Sequence, residues 1–330
     1  MDEHTRSLLS EPSATRAQRA AAARAERERR HAVAERIAQP LDGVATIAML
    51  LEAGLTRGQI QGEIERGVWT KVGRHTVRVT ATGDPQRAGW WTALWESGRQ
   101  SVLDGATALI AAGLTSWTER VIHVSVPNRA TVRALDGVVH HRLRRIGPVV
   151  TAGLRRTKPE VAVIRAAQWE RSDRAAATIV AMTVQQRLAS PASVLSRWSG
   201  IHYSTRRALL HDVIQDVCNG AHSLSELDFA RECRRRGLPE PKRQVVRMGP
   251  HGRVYLDVFW DGPGLHIEIQ GAHHYQGLGV ISDSLRFNDV RLQSRDLTTL
   301  QVPVLGLRTQ PEAFFAQIQR ALAAGRVDSR

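Results

Sequence analysis

Apolar and polar positions change period several times along the 330 residues, and the changes divide the chain into segments. Residues 15–38 are rich in Ala, Arg and Glu, all strong helix formers, but apolar positions are sparse. Val33 and Ile37 share a face and little precedes them, which predicts a solvated helix ended by Pro40. Residues 44–52 read as a short apolar helix closed by Gly54. A second helix opens at Thr56: Gln59 completes a capping box, and Leu55 with Ile60 forms a hydrophobic staple. Ile60 and Ile64 hold its inner face and Gly67 stops it. Residues 69–79 then alternate with a period of two about a turn at Gly73, predicting a strand pair.

Residues 84–220 are less sharply patterned. A helix carrying Trp90, Trp91 and Trp95, a helix over 102–112, strands over 121–126 and 138–143, and helices over 162–188 and 205–217 are expected. The tryptophans read as core. His140, His141, Arg142, Arg144 and Arg145 form a basic strand end, read as a solvated edge or a phosphate contact. Beyond 220 the pattern sharpens again. An amphipathic helix over 224–236 ends at Gly237 and is followed by the rigid Leu238-Pro239-Glu240-Pro241. Strands over 245–248, 253–260 and 265–270 come next, then a helix over 282–295, a strand over 301–307 and a helix over 311–323.

Composition adds charge to this outline. The net charge of +14 favours polyanionic partners, and DNA is the expected one. The basic residues are nearly all Arg, with Lys at 71, 158 and 242 alone, so compositional bias explains part of the charge. No stretch is long and apolar enough for a membrane span, and the first residues lack the apolar run of an export signal; no membrane association and a cytoplasmic location are expected. Cys218 and Cys233 could pair but do not make a disulfide framework, and with His222 they lack zinc-site spacing. Neither a phosphate-cradling glycine loop nor a serine nucleophile elbow is present.

The second C-terminal hairpin carries the chemistry. If residues 261–264 form its turn, Trp260 pairs with Leu265, and counting back sets Asp257 opposite Glu268. Tyr255, Asp257 and Phe259 would then share a face with His266, Glu268 and Gln270, leaving Val258, Ile267 and Ile269 for a core. Two carboxylates facing across a ladder repel, and a divalent cation between them removes the conflict. Oxygen ligands of this hardness suit Mg²⁺ or Mn²⁺. A solvent-facing strand with two acidic residues explains the same spacing equally well. The polar crowding of Gln270, His273 and His274 beside Gly271 tips the reading towards a site.

These residues also carry a resemblance. Ser225-Glu226, Gly237-Leu238-Pro239, Tyr255-Leu256-Asp257-Val258, Ile267-Glu268-Ile269-Gln270-Gly271, His274, the run from Asp283 to Asn288, and Val304-Leu305 resemble the PD-(D/E)XK nuclease superfamily in its very-short-patch-repair-like branch. The resemblance implies that Asp257 and Glu268 hold the metal, with the Ile269 carbonyl as a third ligand. It places Glu226 at the acidic position of the first helix and His274 at a histidine that assists proton transfer. Capping by Ser223 and Glu226, and an ordinary loop histidine, are the plain alternatives. Asp283 and Arg286 fix the helix to the site or form a surface pair. Gln270 departs from the pattern, standing where the superfamily often has Lys and this branch Asp; Gln orients water but is no base near neutral pH.

Residues 41–83 resemble the N-terminal domain of AbiEi-type antitoxins, through the helix–turn–helix order and the run from Gly67 to Arg74. Gly58 and Gly62 depart from a good recognition helix. Helix, turn, helix and β-ribbon is the order of a winged helix-turn-helix, and Arg57, Gln59, Lys71, Arg74 and His75 would cluster on one side, which favours DNA contact over the alternative, a small helical domain used only for packing.

The expected fold class is therefore α/β: a basic helical leader (1–40), a winged helix-turn-helix (41–85), an α/β middle region (86–220) and a restriction-endonuclease-like mixed sheet flanked by helices (221–330). The expected function is a Mg²⁺-dependent endodeoxyribonuclease, a hydrolase of DNA phosphodiesters. The alternatives are a non-catalytic DNA-binding regulator of type IV antitoxin kind on a nuclease scaffold, or a structural member of a defence cluster. A homodimer and a toxin or defence-system partner are further expectations.

Overall fold

The computed structural model describes residues 15–219, 226–249, 252–270, 279–293 and 299–324. They are mixed α and β with several sheets, and none of the helices is long and apolar enough to cross a membrane. Contacts divide the chain into two compact units: Met1–Ser101 with Thr131–Leu135, and Val102–Ala130 with Asp136–Arg330.

In the first unit, α1 (Arg16–Ala38) is capped by Thr15 and Gln18, and a 3-10 turn (Gln39–Leu41) follows at Pro40. The first half of α1 is exposed, but Ala34 and Ala38 are fully buried and Val33 and Ile37 pack on the core. The expectation of a solvated helix thus holds only for its start: small Ala side chains let the end of the helix dock closely, a signal that a search for large apolar residues misses. Residues 44–52 are not one helix. Val44–Thr46 is strand β1 and Ile47–Glu52 is α2, because Thr46 turns the chain by capping α2 through the Met49 N–H at 3.1 Å. α3 (Arg57–Glu65) carries the expected capping box, and Leu55 and Ile60 are buried beneath it. β2 (Thr70–Lys71) and β3 (Thr76–Arg78) follow, and the sheet order is β1-β3-β2, all antiparallel. Trp69, Val77 and Leu50 fill the core. α4 (Pro85–Glu96) closes the unit, with Trp90 buried and Trp91 stacked on Trp95 at 5.4 Å.

The second unit has two sheets. One runs β6-β5-β4-β8-β7, from β4 (Val102–Leu103), β5 (Ile122–Pro127), β6 (Val138–Leu143), β7 (Val149–Val150) and β8 (Arg156–Thr157). Residues 102–112 split into β4 and α5 (Gly105–Ala111) rather than forming one helix. The cause is Asp104, which is fully buried at the break. Its carboxylate accepts from the Gly105 N–H (2.8 Å), Thr157 Oγ1 (2.7 Å), Ser125 Oγ (2.5 Å) and Arg165 Nη1 (2.5 Å), tying three strands to a helix. Gly105 is needed here: φ is +54°, and a Cβ would lie 2.7 Å from the Trp169 ring.

The helical layer comprises α6 (Pro159–Trp169), α7 (Asp173–Gln185), α8 (Pro191–Ser199) and α9 (Arg207–Asn219). Residues 162–188 are two helices because Ser172 caps a new one through the Ala175 N–H. The last sheet has the order β12-β11-β10-β9, from β9 (Lys242–Gly249), β10 (Gly252–Trp260), β11 (Leu265–Gln270) and β12 (Thr299–Pro303). The first three strands pair antiparallel and β12 joins β11 in parallel, so the sheet is mixed. α10 (Glu226–Arg235) precedes it and α11 (Gly279–Gln293) connects β11 to β12. The expected strand over 301–307 ends at Pro303, and residues 304–309 form α12 (Val304–Thr309), followed by α13 (Pro311–Ala324).

Candidate functional site

The hairpin of β10 and β11 turns through residues 261–264, where the Gly264 N–H donates to the Asp261 carbonyl at 3.2 Å and Gly264 adopts φ +65°. Trp260 pairs with Leu265, Phe259 with His266 and Val258 with Ile267. One further step in that register sets Asp257 of β10 opposite Glu268 of β11. Burial fixes the register: Val258, Ile267 and Leu265 are fully buried, and Trp260, 5% exposed, donates its indole N–H to the Pro239 carbonyl at 3.0 Å. A slip of one residue would turn these apolar groups out of the core. Glu268 is exposed, and Ile269 beside it is half-buried. The side chains of Glu226, Asp257 and Gln270, and His273 and His274 entirely, lie outside the described residues. Among the described residues no three His, Cys, Asp or Glu side chains converge on a common point.

The far side of Glu268 is held by a residue that pattern reading passes over. Glu268 pairs in parallel with Gln301 of β12. Asn288 of α11, fully buried, donates Nδ2–H to the Gln301 carbonyl at 2.8 Å and accepts the Gln301 N–H on Oδ1 at 2.9 Å. It also donates to Gln317 Oε1 at 2.9 Å. The helix side chain thus replaces a strand on the outer edge of β12 and pins the neighbour of Glu268. The sequence signal is an Asn inside a helix, where it is disfavoured without a partner. Asp283 and Arg286 form an exposed surface pair at 3.8 Å. Cys218 and Cys233 are both free thiols, and burial pushes them up to about 11 and about 12.

In the first unit, Arg57 opens α3, Lys71 lies on β2, and Arg74 and His75 form the turn into β3; all four are exposed. Gln59 is committed locally: its Oε1 accepts the Thr56 N–H at 2.8 Å in the capping box. The β2–β3 turn is held by Glu96 at the end of α4, which accepts from the Arg74 N–H (2.9 Å), the His75 N–H (2.7 Å) and Thr76 Oγ1 (2.8 Å). A carboxylate at a helix C-terminus opposes the helix dipole, and that oddity was the available clue to a partner. Glu63, 1% exposed on α3, was also missed, although it follows Ile60 by three residues. Arg27 and His31 of α1 reach it, at 2.9 Å and 3.1 Å, and Arg66 at 2.7 Å. Part of the charge of the leader helix therefore holds the unit together instead of extending into solvent.

The basic end of β6 differs from a solvated edge as well. His141 Nε2 lies 2.9 Å from His123 Nδ1, and its ring stacks on Trp169 with centroids 3.4 Å apart and planes within 3°. Burial pushes His141 down to about 4, aided by the charges of its neighbours, so the ring is neutral at pH 7.

No family model matches the chain, and no curated protein matches it. Among solved structures the chain is similar to the RV2827C protein from Mycobacterium tuberculosis, at 18% identity over 57% of this chain and 75% of that one, with a TM-score of 0.35, a level of likeness on which no argument rests.

Proposed function

We propose that the chain is a metal-dependent endonuclease-like protein, with a PD-(D/E)XK-like site on the last sheet and an AbiEi-like winged helix in the first unit that binds DNA. The observation that carries the reading is the hairpin register from Trp260 with Leu265 to Val258 with Ile267, buried in the core; counted one step further, it would put Asp257 opposite Glu268. Cross-strand carboxylates destabilise a ladder unless a cation joins them. The donor set consists of hard oxygens, Asp257, Glu268 and the Ile269 carbonyl, and fits Mg²⁺ or Mn²⁺.

Such an ion, when bound, supplies Lewis-acid stabilisation of the charge that develops on a phosphodiester under attack by water. The chain contributes the rest. Asp257 and Glu268 hold the ion, and Asn288 keeps the strand beside Glu268 in register through Gln301. Gln270 orients the attacking water but does not take its proton near neutral pH. Glu226 and His274 are the remaining polar groups assigned to the site. In the first unit, Arg57, Lys71, Arg74 and His75, all exposed, would meet phosphates, while Gln59 serves chiefly as a cap. A cytoplasmic location suits a DNA substrate.

The test is cleavage of plasmid and oligonucleotide DNA with Mg²⁺ or Mn²⁺, beside Asp257→Ala and Glu268→Ala. Each variant should lose at least 100-fold in rate without unfolding. Equal cleavage by all three proteins would reject the site. The second reading, a DNA-binding regulator on a nuclease scaffold, is favoured by Gln270 and becomes the better account if DNA binds but no substrate is cut with either metal.

A further inference from the structure

In the second unit β6 passes into β7 through residues 144–148, and α6 and α8 meet that crossing at Gly147. Gly147 adopts φ +86°, a left-handed turn that favours glycine and leaves the space of a Cβ open. From the point that Cβ would occupy, Arg197 Nη2 of α8 is 3.5 Å away, Val161 Cγ1 of α6 is 3.9 Å away and Arg165 Nη2 of α6 is 4.0 Å away. Guanidinium nitrogens from two different helices therefore converge on one open point.

The two arginines differ in their partners. Arg165 is balanced by buried Asp104 through Nη1, and its Nη2 donates to the Arg145 carbonyl at 3.2 Å. Arg197 makes no hydrogen bond or ion pair among the described residues; it is half-buried, and its nitrogens are not sealed from solvent. Asp104 does not serve both, because its oxygens also accept from Gly105, Thr157 and Ser125. The surroundings add charge of the same sign. Residues 137–159 hold five Arg and one Lys and no Asp or Glu. Of these, Arg145 and Lys158 are exposed, and the Lys158 N–H donates to the Pro148 carbonyl at 3.1 Å, which ties the start of α6 to the turn. Lys158 gives α6 no side-chain cap, and Glu160 in its first turn is the first acidic residue after Asp136. A guanidinium without a counter-ion beside a second guanidinium is repelled, and an anion seated between them reverses the sign of that interaction.

We propose that the point beside Gly147 binds a phosphate group, held by Arg197 and Arg165 and drawn in by Arg145 and Lys158. A phosphate offers several oxygens in different directions, so that one meets Arg197 while another meets the second hydrogen of Arg165 Nη2. A carboxylate carries half the charge and has two oxygens in one plane, which suits a single guanidinium fork better than two donors on separate helices. The phosphate belongs either to a free phosphorylated compound or to the backbone of a nucleic acid. The site stands apart from the proposed nuclease centre, whose residues remain intact in the variants that test it.

Calorimetric titration of the full chain with inorganic phosphate and with acetate, at constant ionic strength, tests the assignment. Phosphate should bind at least 10-fold more tightly than acetate, and Arg197→Ala should weaken it at least 10-fold. Arg16→Ala removes the same charge from the first unit and should leave phosphate affinity unchanged, separating a site from diffuse attraction. AMP and a short DNA duplex identify the source. Weaker AMP binding by Arg197→Ala with unchanged duplex affinity assigns a free phosphorylated compound. Weaker duplex binding, with the slope of its salt dependence lowered by about 1, assigns a nucleic-acid backbone. Equal affinity for phosphate and acetate, equal losses in Arg197→Ala and Arg16→Ala, or unchanged binding of phosphate, AMP and duplex by Arg197→Ala would each overturn the proposal.

Discussion

Arg27 of α1 grips Glu63 of α3 with two nitrogens, Nε to Oε1 at 3.1 Å and Nη2 to Oε2 at 2.9 Å, across 36 residues of chain. Burial acts to raise the Glu63 carboxyl, but hydrogen bonds from Arg27, Arg66 and His31 outweigh it and hold the group at about 2. A carboxylate lowered in the folded state stabilises it fully above its ordinary value of 4.5, and that contribution is lost as pH falls towards about 2. Glu63→Gln should cost about 2–3 kcal/mol, below the ~3–5 for a fully buried pair, because Arg27 and Arg66 keep access to water. Denaturant melts at pH 7 and pH 3 check it. The gap between wild type and variant should narrow at pH 3; a constant gap would mean that packing, not charge, is responsible.

The hold of Glu96 on the β2–β3 turn separates geometry from phosphate contact. Glu96→Ala removes three hydrogen bonds to a carboxylate, at about 1.5 kcal/mol or more each where the donors stay unpaired. DNA affinity should fall while the slope of its salt dependence stays the same, since no phosphate contact is deleted. Arg74→Ala should lower that slope by about 1. The same change of slope in both variants would put Glu96 in the contact itself or remove Arg74 from it.

Metal binding can be read without catalysis. Asp257→Asn takes one charge from the cross-strand position and should leave the metal-free protein unchanged or up to ~1 kcal/mol more stable. Wild type should gain melting temperature with rising Mn²⁺, because the ion binds only the folded state, and the variant should lose most of that gain. Identical Mn²⁺ responses would move the ion elsewhere. A large loss of stability in EDTA would give Asp257 a structural task instead.

Asn288 predicts a split of a different kind. Asn288→Ala leaves the Gln301 N–H and C=O without their helix partner and should cost about 2–4 kcal/mol. If this contact holds the strand beside Glu268, Mn²⁺ affinity should fall as well, read from the melting shift against Mn²⁺ concentration. Lost stability with unaltered Mn²⁺ affinity would confine Asn288 to the fold.

What could be read from the chain alone was short in range. The capping box at Thr56 and Gln59, the four-residue turn after Trp260 and the alternation of Val258 with Trp260 and Leu265 with Ile267 each depend on neighbours a few residues away, so the α3 start and the β10–β11 register were legible. The boundaries at Thr46 and Ser172 slipped at local caps, but another lies where a distant group intervenes. Residues 102–112 break at Asp104 because Thr157, Ser125 and Arg165 converge on its carboxylate, and no local period encodes partners 21 to 61 positions away. The same holds for Glu63, Glu96 and Asn288. A polar residue on a helix reads as solvated until something is known to cover it, and whether it is covered depends on how helices and strands far apart in sequence pack. Local spacing therefore specified elements and pairing, whereas the burial of charged and amide groups, and the meeting of Arg165 and Arg197 beside Gly147, came from packing between distant segments, which supplies the desolvation and the partners that make such groups stable.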